Sequence, residues 1–338
     1  MVEASEAATD SWNAATTGPQ SAGRVIRNRR TGALPVPCIR SRVVACTVNS
    51  LIYLAHGPAA LRAEAFYSLL SYYQVAAVPV QVLVYTDAPK AFVQVLGPRP
   101  EIIYPAVTAT QWQEWRGSSN KVFMLKIGVL THAATHYPGN LLFVDTDTIW
   151  QRDPAPLFSL ISQGQLIMHV IEERMSTGNT LSRKVYKHLK DQTFSAGPRS
   201  IRLMPETLLY NSGVLGFPSS MAAELPAITS LADQLFAAYD KHIMEQLAFS
   251  IYFHLSAPVA EAAPYVLHYW NLKAARPYLA RVFEKYAGHS LDELYQRATA
   301  LDLPRLHAAE LAYRNLPGWH RTWLKLQGRR WRMPELAV

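Results

Sequence analysis

Between residues 43 and 104 the sequence alternates short, β-branched apolar runs with helical patterns. After Gly57-Pro58, for example, Leu61, Ala65 and Leu69 recur at the four-residue spacing of a helix. Strands that alternate with helices pair in parallel, and such sheets bind ligands outside the carboxyl ends of their strands. The pattern predicts a helix at 90–96 and strands at Val43–Leu54, Val80–Tyr85 and Glu101–Tyr104.

The remainder of the chain continues this α/β pattern and then becomes helical. We expect a helix at 119–136 that carries Lys121 and Lys126, followed by the fully apolar strand Leu141–Val144. The last third, residues 274–338, is basic and mostly helical in pattern. Between them the sequence predicts a helix at 155–163, an apolar run at Leu166–Ile171, the segment Tyr210–Phe217, a helix at 221–255 and a strand at Tyr265–Tyr269.

The composition indicates a globular chain, since 49% of the 338 residues are hydrophobic and only 17% are charged. We divide the sequence into a flexible basic tail at 1–36, one α/β domain at 37–275 and a helical, basic extension at 276–338. The net charge of +8 favours anionic partners without selecting one. Cys38 and Cys46 are the only cysteines, and the sequence shows no signal-like or membrane-spanning apolar stretch. We therefore expect a cytoplasmic protein.

Two carboxylates, Asp145 and Asp147, directly follow the apolar strand Leu141–Val144. A two-residue offset places both on the same face of an extended chain, where they repel each other unless a cation lies between them. Hard divalent ions such as Mg²⁺ or Mn²⁺ take oxygen ligands and commonly bridge protein carboxylates to phosphates. The alternative interpretation is a surface turn with two solvated acids. Because these acids follow a buried strand, the sequence favours a metal site.

This segment resembles the D-x-D motif of the metal-dependent glycosyltransferases of the GT-A fold, most closely the glycogenin and retaining galactosyltransferase-like (GT8-type) group. In that family the motif holds Mn²⁺ against the diphosphate of a nucleotide-sugar. The similarity covers roughly residues 43–275. Five elements recur in the family's order: the lysine-bearing helix before the strand, Asp153-Pro154 with Leu157-Phe158, Tyr210-Asn211-Ser212-Gly213-Val214, Glu245-Gln246, and His268-Tyr269-Trp270.

The resemblance implies a GT-A-like, Rossmann-like mixed sheet, mainly parallel and flanked by helices, and it implies roles for single residues. Asp145, Asp147 and His268 would hold Mn²⁺ or Mg²⁺. Asn211 would contact the donor sugar, and Glu245 would lie beneath it as a stabilising or attacking carboxylate. The donor contacts would be Thr47, Asn49, Tyr53, Lys126, Asp145 and Lys273, with Lys121 as the alternative to Lys126.

Each of these side chains also has an ordinary structural interpretation. His268 follows apolar residues and could be a core histidine, Lys126 could be a solvated lysine, and Asn211 could belong to a plain turn. An acid in a first helical turn, such as Glu245, is stabilised by the helix dipole. Lys273 departs from the family, because it lies one residue early and no Pro-Trp follows it.

The C-terminal stretch interleaves tryptophans with cations from Trp319 to Arg332. A packed helical extension with a charged outer face is one interpretation. A second is contact with an anionic membrane, where Trp323, Lys325, Arg329, Arg330 and Trp331 would dock. Nucleic-acid binding by stacked aromatics is the least favoured of the three.

The resemblance implies transfer of a sugar from a nucleotide-sugar, a UDP-sugar, to a hydroxyl of a glycan, glycolipid or protein acceptor. The resemblance favours retention of configuration, whereas inversion would need a general base near the acceptor hydroxyl. One rival is a haloacid-dehalogenase-like phosphatase, which also places D-x-D after an apolar strand. That class usually has glycine after the second acid, where this chain has Thr148. The other rival is a catalytically inactive sugar-binding or scaffold protein.

Overall fold

The computed structural model describes residues 48–117 and 120–334. The predicted tail at 1–36, both cysteines and Thr47 lie outside the described residues. The strands are β1 Asn49–Leu54, β2 Gln81–Tyr85, β3 Ile102–Ile103, β4 Asn140–Val144, β5 Thr148–Trp150, β6 Leu166–Met168, β7 Ile171–Arg174, β8 Phe194–Ala196, β9 Arg199–Ile201, β10 Leu208–Tyr210, β11 Val214–Pro218, β12 Val259–Glu261 and β13 Val266–His268.

Helices cover most of the remaining described chain. They are α1 Ala59–Val75, α2 Pro89–Leu96, α3 Ala109–Glu114, α4 Met124–His136, α5 Ala155–Ser162, α6 Thr180–Leu189, a 3-10 turn at Ser219–Ala223, α7 Leu225–Ala238, α8 Met244–Ser256, α9 Ala275–Lys285, α10 Leu291–Thr299, α11 Leu303–Asn315 and α12 Gly318–Leu326. Of these, no helix in the described ranges is long and apolar enough to cross a membrane.

Seven strands of the described chain form one mixed sheet in the order β12-β6-β11-β4-β1-β2-β3. Four of its six neighbouring pairs are parallel, and β11 is antiparallel to both of its neighbours. The mainly parallel sheet predicted from the alternating pattern is therefore confirmed. The chain passes from β1 to β2 on one side, and β4 pairs on the other side of β1. The carboxyl ends of β1 and β4 flank this change of direction, which is where open α/β sheets bind ligands.

Strand β4 is buried along its whole length because helices cover both faces of the sheet. Leu141 and Phe143 belong to an apolar cluster with residues of α4, α7 and α8. Leu142 and Val144 belong to a second cluster with residues of α1, α5, α9 and α10. Alternate side chains of a strand point to opposite faces, so one fully apolar strand serves both layers.

Two predicted helix boundaries were wrong. The helix expected at 119–136 begins at Met124, so Lys121 precedes it. The single helix expected at 221–255 is two helices, α7 and α8, which are separated because Tyr239 is extended with φ −155° and ψ 96°. Residues 239–243 contain neither Gly nor Pro, so the sequence gives no strong signal for this break. The apolar run at Leu166–Ile171 likewise divides into β6 and the start of β7.

The C-terminal helices are confirmed, although the domain boundary at residues 275 and 276 stays a prediction. Leu279 and Val282 of α9 and Leu294 of α10 belong to the same apolar cluster as α1 and the sheet. These helices therefore extend the main core.

Candidate active site

The predicted metal residues Asp145, Asp147 and His268 lie together at the carboxyl end of β4. His268 reaches this place because β13 pairs antiparallel with β5, which puts His268 opposite Thr148. The Nε2 atom of His268 lies 3.1 Å from Oδ1 of Asp147 and 3.9 Å from Oδ2 of Asp145. One ligand atom from each of the three residues lies within 4.8 Å of the others. Two carboxylates and one imidazole in this arrangement could hold a divalent cation.

Cations of the protein surround the two carboxylates. Lys126 donates to Oδ2 of Asp145 over 3.2 Å, and Nη2 of Arg276 lies 3.6 Å from Oδ2 of Asp147. Burial opposes ionisation of Asp147, but His268 and Arg276 outweigh it and hold its pKa below the usual range. Burial lowers and the two aspartates raise the pKa of His268, with a net increase. Each of the two carboxylates therefore lies beside a positively charged side chain in a partly buried site.

Lys126 connects the carboxylate end of β4 to the loop before β11. Its Nζ also donates to the carbonyl oxygen of Ser212 over 3.0 Å and lies 3.9 Å from Oε1 of Glu245. The side chain is 12% exposed. Lys126 therefore lies beside the candidate metal residues, whereas its alternative, Lys121, forms an ion pair of 2.6 Å with Asp240.

Glu245 is a nearly fully buried acid in the first turn of α8. Ser212 Oγ donates to its Oε2 over 3.3 Å, whereas its Oε1 has no hydrogen-bond partner within the described residues. Burial raises the pKa of Glu245 to about 7, and Lys126 opposes the increase. A carboxyl that titrates near neutrality beside a candidate metal centre is a feature of reactive sites.

The predicted donor contacts on β1 are not brought to this cluster. Asn49 lies at the amino end of β1, opposite Asn140, and accepts a hydrogen bond of 2.9 Å from that residue. Asn49 is therefore separated from Asp145 by the length of β4. Tyr53 is fully buried, and its hydroxyl contacts Ser68 Oγ at 2.9 Å.

The buried Tyr53 is connected to Asp145 through a chain of hydroxyl groups. Ser68 Oγ contacts Thr148 Oγ1 at 2.8 Å, and Thr148 Oγ1 donates to the carbonyl oxygen of Asp145 over 2.7 Å. This chain of hydroxyl groups fixes the loop that carries Asp145 and Asp147.

Sequence reasoning missed Arg276 and its partner Glu64. Arg276 lies three residues after Lys273, which is exposed, and it donates to both carboxylate oxygens of Glu64 over 2.9 Å. Burial and the charge of Asp147 raise the pKa of Glu64 to about 8, while Arg276 opposes them. A buried acid in the apolar helix α1 was the available signal, but the sequence could not identify its partner 212 positions away.

The site opens into a cavity of about 670 Å³. Its lining includes Lys126, Asp145, Asn211, Glu245 and His268. Residues of α11 and the half-exposed Trp270 also line it. A volume in this range accommodates a ligand of cofactor size. The C-terminal extension thus supplies a wall of the site as well as part of the core.

Comparisons with known proteins return structures but no sequence relatives. No protein-family model matches the chain, and no curated protein matches it. Mouse xyloside xylosyltransferase 1 is 15% identical over 63% of this chain and 85% of its own, with a TM-score of 0.42. The galactosyltransferase LgtC, solved with donor and acceptor sugar analogs, is 10% identical over 74% of this chain and 95% of its own, with a TM-score of 0.44.

A third similar structure is the glycosyltransferase GlyE of Streptococcus pneumoniae. It is 12% identical over 76% of this chain and 64% of its own, with a TM-score of 0.43.

The raised pKa of Glu245 predicts a pH-dependent effect of Glu245→Gln. The pKa of Glu245 is about 7 in the folded protein and about 4.3 in an unfolded chain. Between these pH values the Glu245 carboxyl is protonated in the folded state and ionised in the unfolded state. Wild-type stability therefore falls as pH rises through this window, by at most about 1.4 kcal/mol per pH unit. The Gln variant lacks this loss, so its stability relative to wild type increases from pH 5 to pH 8.

Urea unfolding of both proteins at pH 5 and pH 8 measures the difference. The exposed-site variant Glu206→Gln corrects for the general loss of one carboxylate. A relative stability that falls with pH would contradict the raised pKa of Glu245.

Proposed function

We propose that this protein is a metal-dependent glycosyltransferase that moves a sugar from a nucleotide-sugar, a UDP-sugar, to a hydroxyl acceptor. The observation that carries the proposal is the convergence of Asp145, Asp147 and His268 beside Lys126 and Arg276. Two metal-binding carboxylates with neighbouring cations suit a diphosphate, which is anionic and needs neutralisation as it leaves. The cavity beside them provides space for the sugar and the acceptor.

The donor set fits Mn²⁺ or Mg²⁺, with Asp145, Asp147 and His268 as the holding residues. Carboxylates suit both ions, and the imidazole suits Mn²⁺ better. When bound, such an ion supplies Lewis-acid stabilisation of the leaving diphosphate.

Two protein cations would share the binding of the diphosphate. Lys126 is held by Asp145 and the Ser212 carbonyl, and Arg276 is held by Glu64. Because both cations are already oriented, they lose little conformational freedom when an anion binds. Arg276 therefore replaces Lys273 in our assignment of the phosphate contact.

Glu245 and Asn211 are our candidates for the residues around the donor sugar. Both line the same cavity as Lys126. In its ionised form the Glu245 carboxylate would stabilise positive charge at the sugar carbon as the glycosidic bond stretches, which fits a retaining reaction. The acceptor, a glycan, glycolipid or protein hydroxyl, would approach from the wall formed by Trp270 and α11.

An anionic membrane surface is a further proposed partner, and with it a cytoplasmic location at the membrane periphery. Trp319, Trp323 and Leu326 of α12 are 74%, 48% and 82% exposed and recur at helical spacing. The exposed Arg329 and Arg330 follow the helix, and residues 316–334 contain no acid. Tryptophan favours a membrane interface and cations favour anionic headgroups.

Trp331 is less available for such a contact than the tryptophans of α12. It is partly buried and packs against the apolar cluster of α1 and the sheet. The proposal therefore assigns the membrane contact to Trp319, which is more exposed, in place of Trp331.

Asp147→Asn should weaken Mn²⁺ binding at least 100-fold and abolish transfer, because the amide keeps the shape but removes the charge of one ligand. Calorimetry with Mn²⁺ alone and release of UDP from a panel of UDP-sugars measure the two effects. Asp153→Asn is the control, since Asp153 accepts from the Ala155 N–H at the start of α5. Normal turnover by the Asp147 variant would contradict the metal site. Phosphate release from a phosphomonoester by wild type, without sugar transfer, would support the phosphatase instead.

Arg276→Gln should raise the dissociation constant of a UDP-sugar at least 10-fold, because a charge-assisted contact contributes about 1.5–3 kcal/mol. Lys273→Gln is the matched variant and should change it less than 2-fold. Since the single change leaves the buried Glu64 without its cation, the double variant Glu64→Gln/Arg276→Gln keeps the test independent of folding. A larger effect of Lys273→Gln than of Arg276→Gln would restore Lys273 as the phosphate contact.

The protein should sediment with vesicles of anionic phosphatidylglycerol but not with neutral phosphatidylcholine. Each basic residue near such a surface contributes on the order of 1 kcal/mol, so changing Arg329 and Arg330 to Glu should release most of the protein. The same reversal at Arg183 and Lys184, which are also adjacent and exposed, should leave binding unchanged. If both charge-reversal variants were released equally, the binding would be a general charge effect. Equal sedimentation of the wild type with both lipids would contradict the proposed surface.

A further inference from the structure

The second ring nitrogen of His268 has a specific partner that the metal site does not explain. His268 Nδ1 lies 2.8 Å from Oδ1 of Asn211, while Nε2 faces Asp147 and Asp145. The imidazole is buried, so this contact is made away from bulk solvent. Which nitrogen of a histidine carries a proton is set by the hydrogen bond that the other nitrogen makes.

The neighbours of Asn211 decide which atom of its amide faces His268. The Gly213 N–H, which can only donate, lies 2.9 Å from one amide atom, and that atom must be the oxygen. The other amide atom is the nitrogen, because it donates to Oε1 of Glu172 over 2.8 Å. The amide oxygen cannot donate, so Nδ1 of His268 must carry the hydrogen of their contact.

We infer that Asn211 is a positioning residue for His268: it holds the imidazole with its hydrogen on Nδ1 and so directs Nε2 to the cation. The inference rests on the proposed metal site and deepens it. It differs from the role that the resemblance implies for Asn211, which is contact with the donor sugar. Partners of this kind orient ligating histidines in many metal sites, and their loss typically weakens metal binding 10–100-fold.

Three further contacts fix Asn211 and the ring. Gln246 Nε2 donates to the second oxygen of Glu172 over 2.7 Å. A residue of α8 therefore fixes the Glu172 carboxylate, which in turn accepts from the Asn211 amide. The backbone of Asn211 is paired as well, since its N–H donates to the Val170 carbonyl over 2.8 Å. His169 packs edge-on against His268, with ring centroids 5.5 Å apart.

Gly213 provides the space in which this contact forms. A Cβ at residue 213 would overlap the His268 ring and would lie 2.8 Å from Oδ1 of Asn211. Asn211 therefore positions the imidazole by accepting its hydrogen bond. Gly213 leaves room for the ring because it has no side chain.

The test uses the full chain with Mn²⁺ alone, without nucleotide-sugar. Continuous-wave electron paramagnetic resonance gives the Mn²⁺ dissociation constant, and pulsed measurements detect the nitrogen of a bound imidazole. Wild type should show this nitrogen signal and His268→Gln should lose it. Asn211→Leu, which removes the acceptor and excludes water, should bind Mn²⁺ 10–100-fold more weakly and lose the signal.

A paired variant separates positioning from a general structural effect. In Asn211→Asp/Glu172→Gln, the aspartate still accepts from Nδ1 of His268 and the glutamine amide can donate to the aspartate. This double variant should recover most of the Mn²⁺ affinity and the nitrogen signal. Circular dichroism and thermal unfolding confirm that each variant is folded.

The chain also offers a matched control. Asn271 Oδ1 contacts Nδ1 of His307 in the same way, outside the Asp145, Asp147 and His268 group. Asn271→Leu should leave the Mn²⁺ affinity and the nitrogen signal of His268 unchanged.

The outcomes separate this inference from the proposed function. Mn²⁺ binding and a nitrogen signal that survive in Asn211→Leu would overturn the inference and leave the glycosyltransferase proposal intact. If that variant also bound a UDP-sugar more weakly, Asn211 would be a sugar contact. Wild type that binds no Mn²⁺ would overturn both the metal site and the inference.

Discussion

Asp145 and Asp147 repel each other, and the surrounding structure compensates for this repulsion. Both carboxylates lie at the end of a buried strand, where charge is poorly solvated. Lys126 and Arg276 approach them from helices on opposite faces of the sheet, α4 and α9. In each case the cation has a second acidic neighbour, Glu245 or Glu64. The site is thus a compensated network, and a divalent ion and an anionic ligand would enter it together without a large net change in charge.

Antiparallel strand pairing brings two further segments to the carboxyl end of the parallel strand β4. One precedes β11 of the main sheet, and the other is β13, which pairs with β5 in a separate two-stranded sheet. β11 pairs with β4 and delivers the Asn211-Ser212-Gly213 loop to the carboxyl end of β4. The Asp145 N–H donates to the Gly213 carbonyl over 2.8 Å, which joins this loop to the candidate metal-binding segment. β13 adds His268 through its pairing with β5. Three segments far apart in sequence therefore contribute to one cluster through backbone pairing, which positions side chains more rigidly than loops do.

The C-terminal helices connect the site to the proposed membrane surface. α9 contributes Arg276 to the carboxylate network, α11 lines the cavity, and α12 presents exposed tryptophans directly after α11. An acceptor held at a lipid surface would therefore lie near the end of the chain that also forms the cavity wall. The segment predicted as an extension therefore contributes residues to the candidate site.

Local sequence pattern determined the alternating elements, the buried strand β4 and the two acids at its end, because strand periodicity and turn residues are encoded by neighbours. The resemblance to the GT-A family placed Lys126, Glu245 and His268 among the candidates. The break between α7 and α8 and the position of Asn49 at the far end of β1 were decided by packing and strand register. The Arg276–Glu64 pair and the Asn211 contact to His268 join residues 212 and 57 positions apart. Only tertiary structure can decide such contacts, because hydrogen-bond direction and charge pairing depend on distances in space.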